Sequence, residues 1–133
     1  MRVETVVPLR WSDMDAMRHV NNATYLSYFE TAREPWFEQL LAGDDPMRWV
    51  LRRIEVDFRS QLTFAEGAVR VTVALDGVGM TSVRTIERIT AESDRRLVAE
   101  ARTVIVRLDE SGARSEPIPD ELRDILLGAA ATP

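Results

Sequence analysis

Asp13, Asp15, His19, Asn21 and Asn22 crowd into ten residues, "DMDAMRHVNN", and an amphipathic pattern begins directly after them. Several chemistries use such residue types, and most fail on supply. A D-x-D pair can hold a divalent ion, but an oxygen site takes about six ligands or more, beyond what this stretch offers. With one histidine and no cysteine in the chain, a zinc or iron site lacks nitrogen and sulfur ligands, so no metal is expected. A serine hydrolase needs its nucleophile on a strained turn, and Ser12, Ser60 and Ser82 lie in no G-x-S-x-G setting. The glycines of "DGVGMTS" lack the spacing of a dinucleotide loop or P-loop. Two aspartates only two positions apart are poorly placed to flank a sugar from opposite faces, which disfavours a glycosidase.

What remains is a carboxylate beside a helix start. A free aspartate has a pKa of about 4, so it is ionised at neutral pH and can attack a carbonyl or take a proton from water. Orphan N–H groups of a first helical turn can receive negative charge developing on a carbonyl oxygen. Asp15 can equally be a solvated loop carboxylate or a partner of the helix dipole. Asp13 reads as a loop-shaping acceptor, and Asn21 and Asn22 as capping residues.

The elements that must hold this stretch follow from periodicity. "RVETVVPL" (residues 2–9) reads as a strand ending near Pro8. From Asn22, the residues Tyr25, Leu26, Tyr28, Phe29, Ala32, Trp36, Phe37, Leu40 and Leu41 recur at helical spacing. Pro35 predicts a kink or a break into two pieces, and Gly43 a stop. The period then changes to two. Val50, Ile54, Val56 and Phe58 alternate with charged neighbours, as do Val69, Val71, Val73 and Leu75; "VGMTSVRTIERIT" and "RRLVAEARTVIVRL" add two more strands. Four consecutive antiparallel strands are expected. Pro119, Asp120 and Glu121 open a short helix carrying Leu122, Ile125 and Leu126, and the residues from Gly128 on read as a frayed tail. One helix cannot bury its stripe alone, so an α+β architecture is expected, with a five-stranded antiparallel sheet wrapped around the long helix.

Size and charge narrow the function. A chain of 133 residues is one domain, 1–133. At 45% hydrophobic and 29% charged it reads as globular, and its net charge of -5 gives no general pull toward nucleic acid or anionic membrane. Lacking cysteine, a basic leader and any long apolar run, it is expected in the cytoplasm.

The run Arg10-Trp11-Ser12-Asp13-Met14-Asp15, then Arg18-His19-Val20-Asn21-Asn22, Tyr25, Tyr28-Phe29-Glu30 and Ala32-Arg33, resembles the 4-hydroxybenzoyl-CoA thioesterase-like branch of the hotdog-fold acyl-CoA thioesterases. The likeness continues through "EVDFRSQLTFAEGAVRVTVAL", "VGMTSVRTIERI" and "PIPDELRDIL". It implies a single hotdog domain that hydrolyses an acyl-CoA to free CoA and a carboxylic acid, with CoA as part of the substrate and no separate cofactor. Asp15 falls where the family carries its catalytic carboxylate, as nucleophile or general base. The amide that polarises the thioester carbonyl falls at Asn22 or Ala23. His19, Asn21, Tyr25, Ser60, Thr81 and Ser82 are the substrate-binding candidates. The resemblance also implies a homodimer or homotetramer with each active site at a subunit interface. The sequence departs from the family at Met17-Arg18, where many members carry a glycine pair, and at Pro35. The rival expectation is a catalytically silent hotdog module that binds acyl-CoA or acyl-carrier-protein thioesters.

Overall fold

The computed structural model describes residues 2–41 and 43–130. Its strands and α-helices run β1 (Arg2–Pro8), α1 (Thr24–Leu40), β2 (Trp49–Phe58), β3 (Ala68–Val78), β4 (Ser82–Ala91), β5 (Leu97–Arg107) and α2 (Asp120–Ala130). The strands pair antiparallel into one sheet, ordered β1-β3-β4-β5-β2, against which α1 packs. This is the expected α+β hotdog arrangement. The expected run of four neighbouring strands holds only for β3, β4 and β5. β1 pairs with β3 from Arg2↔Ala74 to Pro8↔Ala68 and so occupies that side of β3, while β2 lies beyond β5 at the far edge.

Strand alternation sets which side chains meet the helix. Val69, Val71 and Val73 of β3, Val83 and Ile89 of β4, and Ala99, Ala101 and Ile105 of β5 are buried on the inner face. β2 departs from its sequence pattern. Its register shifts between Leu51 and Arg53, so Trp49 and Leu51 share the inner face with Ile54, Val56 and Phe58. The extra residue turns Val50, expected on the buried stripe, outward.

α1 buries Tyr25, Tyr28, Phe29, Ala32, Trp36 and Leu40. The predicted break at Pro35 does not occur: one helix runs through it. Proline removes one bond to the carbonyl four residues back, but Ala32 and Trp36 on either side are fully buried, and their packing outweighs that local loss. The helix also starts two residues later than Asn22. Leu26, expected on the stripe, is instead exposed. Gly43, at φ +99°, follows the helix end as expected. α2 anchors through fully buried Leu126, leaves Ile125 exposed, and includes Gly128, Ala129 and Ala130, which sequence assigned to a frayed tail. The rest of that tail lies outside the described residues. No helix among the described residues is long and apolar enough to cross a membrane.

Candidate active site

The loop before α1 is closed by its own backbone. Asp15 N–H donates to the His19 carbonyl at 2.8 Å and Arg18 N–H to the Asp15 carbonyl at 3.0 Å, while Met14 bridges Val20 and His19 bridges Thr63. Arg18 adopts φ +63°, the left-handed conformation that glycine enters most easily. The arginine therefore holds a conformation in which the glycine implied there by the resemblance would be at ease.

The two aspartates have separate settings. Asp13 is 2% exposed. Its Oδ2 accepts from Arg10 N–H at 3.0 Å and from Tyr28 hydroxyl at 2.7 Å, its Oδ1 accepts from Arg10 Nε at 3.1 Å, and its carbonyl accepts from Asn21 N–H at 2.9 Å. Burial alone pushes its carboxyl pKa up, but the donors from Arg10 and Tyr28 outweigh that and hold it below the usual aspartate value. Burial, together with the same contact, pushes the Tyr28 phenol upward. Asp13 thus ties loop to helix. Asp15 is half-buried, and only its Oδ1 is engaged, accepting from Met17 N–H at 2.9 Å and His19 N–H at 3.3 Å. No described residue bonds its Oδ2.

At the helix start, Asn21 Oδ1 accepts from Ala23 N–H at 2.9 Å and the Asn21 carbonyl from Thr24 N–H at 2.9 Å. Asn21 therefore shapes the turn that leads into α1, whose N-cap position is Ala23, without a side-chain cap. Of the two amides expected to polarise a carbonyl, that of Ala23 is already taken, whereas Asn22 N–H has no partner among the described residues. Asn22 lines the same cavity as Asp15 and Ala23 does not.

That cavity has a volume of about 470 Å³. Of the residues singled out in the sequence, Asp15, His19, Asn22, Tyr25 and Ser60 line it. Tyr25 closes one wall against Phe58, with ring centres 5.3 Å apart, and burial raises its phenol pKa. The Ser60 hydroxyl donates to the Leu97 carbonyl at 3.2 Å and accepts from Arg96 Nε at 3.0 Å, so it is held by the scaffold. Thr81 and Ser82 are not brought here. Ser82 pairs with Val106 whereas Ser60 bonds Leu97, which puts them at opposite ends of β5, on the order of 30 Å apart along the strand. Met17, Val20, Phe58, Arg59 and Gln61 complete the lining. The alternation of "EVDFRSQ" pointed to Phe58, and the motif run contains Val20 and Met17, but their residue types did not mark either as lining.

A larger cavity of about 590 Å³ lies beside the second half of α1, walled by Phe37, Leu41 and Pro46 and rimmed by Glu34, Glu38 and Asp44. Asp44 is committed to Arg107 (3.1 Å) and to Trp49 Nε1 (2.7 Å), which holds its carboxyl low despite partial burial. This cavity lacks the histidine and the loop carboxylates. Among the described residues no group of three or more His, Asp or Glu side chains is placed to hold a metal ion.

A partly engaged carboxylate and an unpaired amide at a helix start, facing one cavity, can act on a polarised carbonyl. Residues 9–126 match the family model described as "Thioesterase-like superfamily". The long-chain acyl-CoA thioesterase FadM of Escherichia coli (strain K12) is 26% identical over 132 residues, covering 93% of this chain and 96% of that protein. Among solved structures, a thioesterase from Thermus thermophilus complexed with coenzyme A and Zn superposes with a TM-score of 0.85 at 32% identity, over 98% of this chain and 96% of that one. A predicted thioesterase from Bacillus stearothermophilus gives 0.85 at 30% identity, over 100% and 99%.

Proposed function

The chain belongs to the thioesterase-like superfamily, and from that premise we propose that it hydrolyses acyl-CoA thioesters to free CoA and a carboxylic acid, with Asp15 as the catalytic carboxylate. One observation carries the proposal: the open oxygen of Asp15 and the unpaired N–H of Asn22 border the same cavity. The thioester carbonyl oxygen accepts a hydrogen bond from Asn22 N–H, where the positive end of the α1 dipole also favours developing negative charge. Asp15 then acts by one of two routes. In direct attack its Oδ2 bonds to the carbonyl carbon, the C–S bond breaks, the thiolate takes a proton from solvent, and water hydrolyses the resulting mixed anhydride. In the general-base route Asp15 takes a proton from a water that attacks the carbon, and the thiol leaves. Repeated turnover in labelled water separates them, since direct attack can place solvent oxygen in the Asp15 side chain.

The assembly belongs to the same proposal. β2 is an unpaired edge, and two-fold pairing of that edge with a second copy gives an isologous dimer with one continuous sheet. Antiparallel pairing sets the Trp49 end of one β2 beside the Phe58 end of the other. This carries the partner subunit's Thr81 and Ser82 toward the Asp15 cavity, which accounts for their distance from it within one chain. The relation to a structure complexed with coenzyme A supports a CoA thioester as substrate, and FadM supports a long acyl chain.

Thiol release over short, medium, long and aromatic acyl-CoAs, with calorimetric binding on the same panel, tests the proposal. Release on at least one chain length is expected. Tight binding with no release on any of them overturns it in favour of a silent acyl-thioester binding module.

A further inference from the structure

Resting on the thioesterase reading, we propose that the acyl chain lies in the groove between α1 and β2, and that Arg33 selects chains carrying a neutral oxygen, hydroxyl or keto, near their far end. α1 packs most closely over β1 and β3; toward β2 it meets Phe58 through Tyr25, and two cavities lie along that flank. Apolar side chains of β2 lining these cavities reach solvent: Leu51 and Phe58 are 38% and 48% exposed. The head of the groove is the Asp15 cavity, where Asn22 and Tyr25 face Phe58. Its tail is a second cavity of about 290 Å³, bordered by Phe37, Trp49, Leu51 and Ile105, with Arg33 in its wall and the exposed Glu30 at its rim. Asn22 and Arg33 are separated by about 17 Å of helix, at about 1.5 Å per residue.

The groove thus ends at a buried cation, and no hydrogen bond or ion pair between Glu30 and Arg33 is present among the described residues. Arg33 is buried, and its Nη1 donates to Glu87 Oε1 at 2.8 Å, while Glu87 Oε2 accepts from the Thr85 hydroxyl at 2.7 Å, which in turn meets Thr103. A guanidinium carries five N–H donors, and no other acceptor among the described residues takes the rest. A plain methyl terminus reaching this wall would strip water from those donors without replacing it. An oxygen there accepts from them. Glu87 already balances the charge of Arg33, so the fitting group is a neutral oxygen, because a second carboxylate would add an unmatched charge.

The test compares kcat/KM for ω-hydroxyacyl-CoAs from decanoyl to tetradecanoyl with that for the unsubstituted chains of equal length, and binding of the same pairs by calorimetry. A preference of about tenfold or more for the hydroxylated chain at the best length is expected in the wild type. The Arg33→Met/Glu87→Gln double variant, which avoids leaving Glu87 as an unpaired buried charge, should reduce that ratio to about one. A wild-type ratio near one, or an unchanged ratio in the folded double variant, overturns the inference while leaving the hydrolase reading intact. If no thiol is released from any substrate, the hydrolase reading falls and the binding pairs decide: about tenfold tighter binding of the hydroxylated chain supports the role of Arg33, and equal binding overturns it.

Discussion

Asp13 and Asp15 stand two positions apart and differ in almost every physical respect. Asp13 spends its oxygens on Arg10 and Tyr28 inside the protein, and Asp15 keeps one oxygen toward a cavity. Asp13→Asn retains the shape and loses the charge that Arg10 and Tyr28 bond, so urea unfolding should report a loss of about 1–3 kcal/mol. Because its folded pKa is depressed, the Asp13 contribution is complete above the unfolded value of about 4 and is lost as pH falls through the lower folded value. The acid limb of the wild-type stability curve should therefore flatten in Asp13→Asn. Glu87 has the opposite sign: burial raises its pKa although Arg33 pulls it down, so its contribution declines as pH rises out of the acid range. An unchanged acid limb in Asp13→Asn would contradict the clamp. At this scale the sequence disclosed the residue types and the loop-shaping role of Asp13. It could not disclose that Asn21 Oδ1 takes the Ala23 amide and leaves that of Asn22 open, because that choice depends on side-chain geometry.

The elements hold this site through two features that break local rules. Arg18 sits at φ +63° where glycine is at ease, and Pro35 stands inside α1. Arg18→Gly relieves the left-handed strain but adds freedom to the unfolded chain, so it should change stability by less than about 1 kcal/mol. A β-branched residue tolerates that conformation worst, and Arg18→Val should lower stability by about 1–2 kcal/mol. Thermal melts of the two variants compare the signs, and a stable Arg18→Val would show that the turn has another conformation. Helix and strand periods were legible: the buried stripe of α1 and the alternation of β3 needed only spacing. The bulge at Leu51/Arg53 was not legible, because one inserted residue inverts the faces of a strand without altering its composition. The order β1-β3-β4-β5-β2 was hidden for a related reason, since β1 claims the side of β3 that chain order would give to β2.

For the whole molecule, the unpaired edge of β2 is where the proposed dimer would form. Leu51→Lys places a charge on that edge strand and should shift sedimentation toward the 15.1 kDa monomer. A fully active monomer would contradict the composite arrangement. The fold class was readable across the chain, whereas a partner copy of the kind proposed would leave no mark in a single sequence beyond an edge strand. The central claim, that Asp15 performs thioester hydrolysis, is tested most directly by thiol release from the best acyl-CoA with purified wild type and Asp15→Asn, both shown to be folded and of equal assembly state. Asn at position 15 can still accept from Met17 N–H, so binding by calorimetry should survive while kcat falls by about 10²–10⁴-fold or more. Wild-type turnover in Asp15→Asn would contradict the assignment and pass the role to His19.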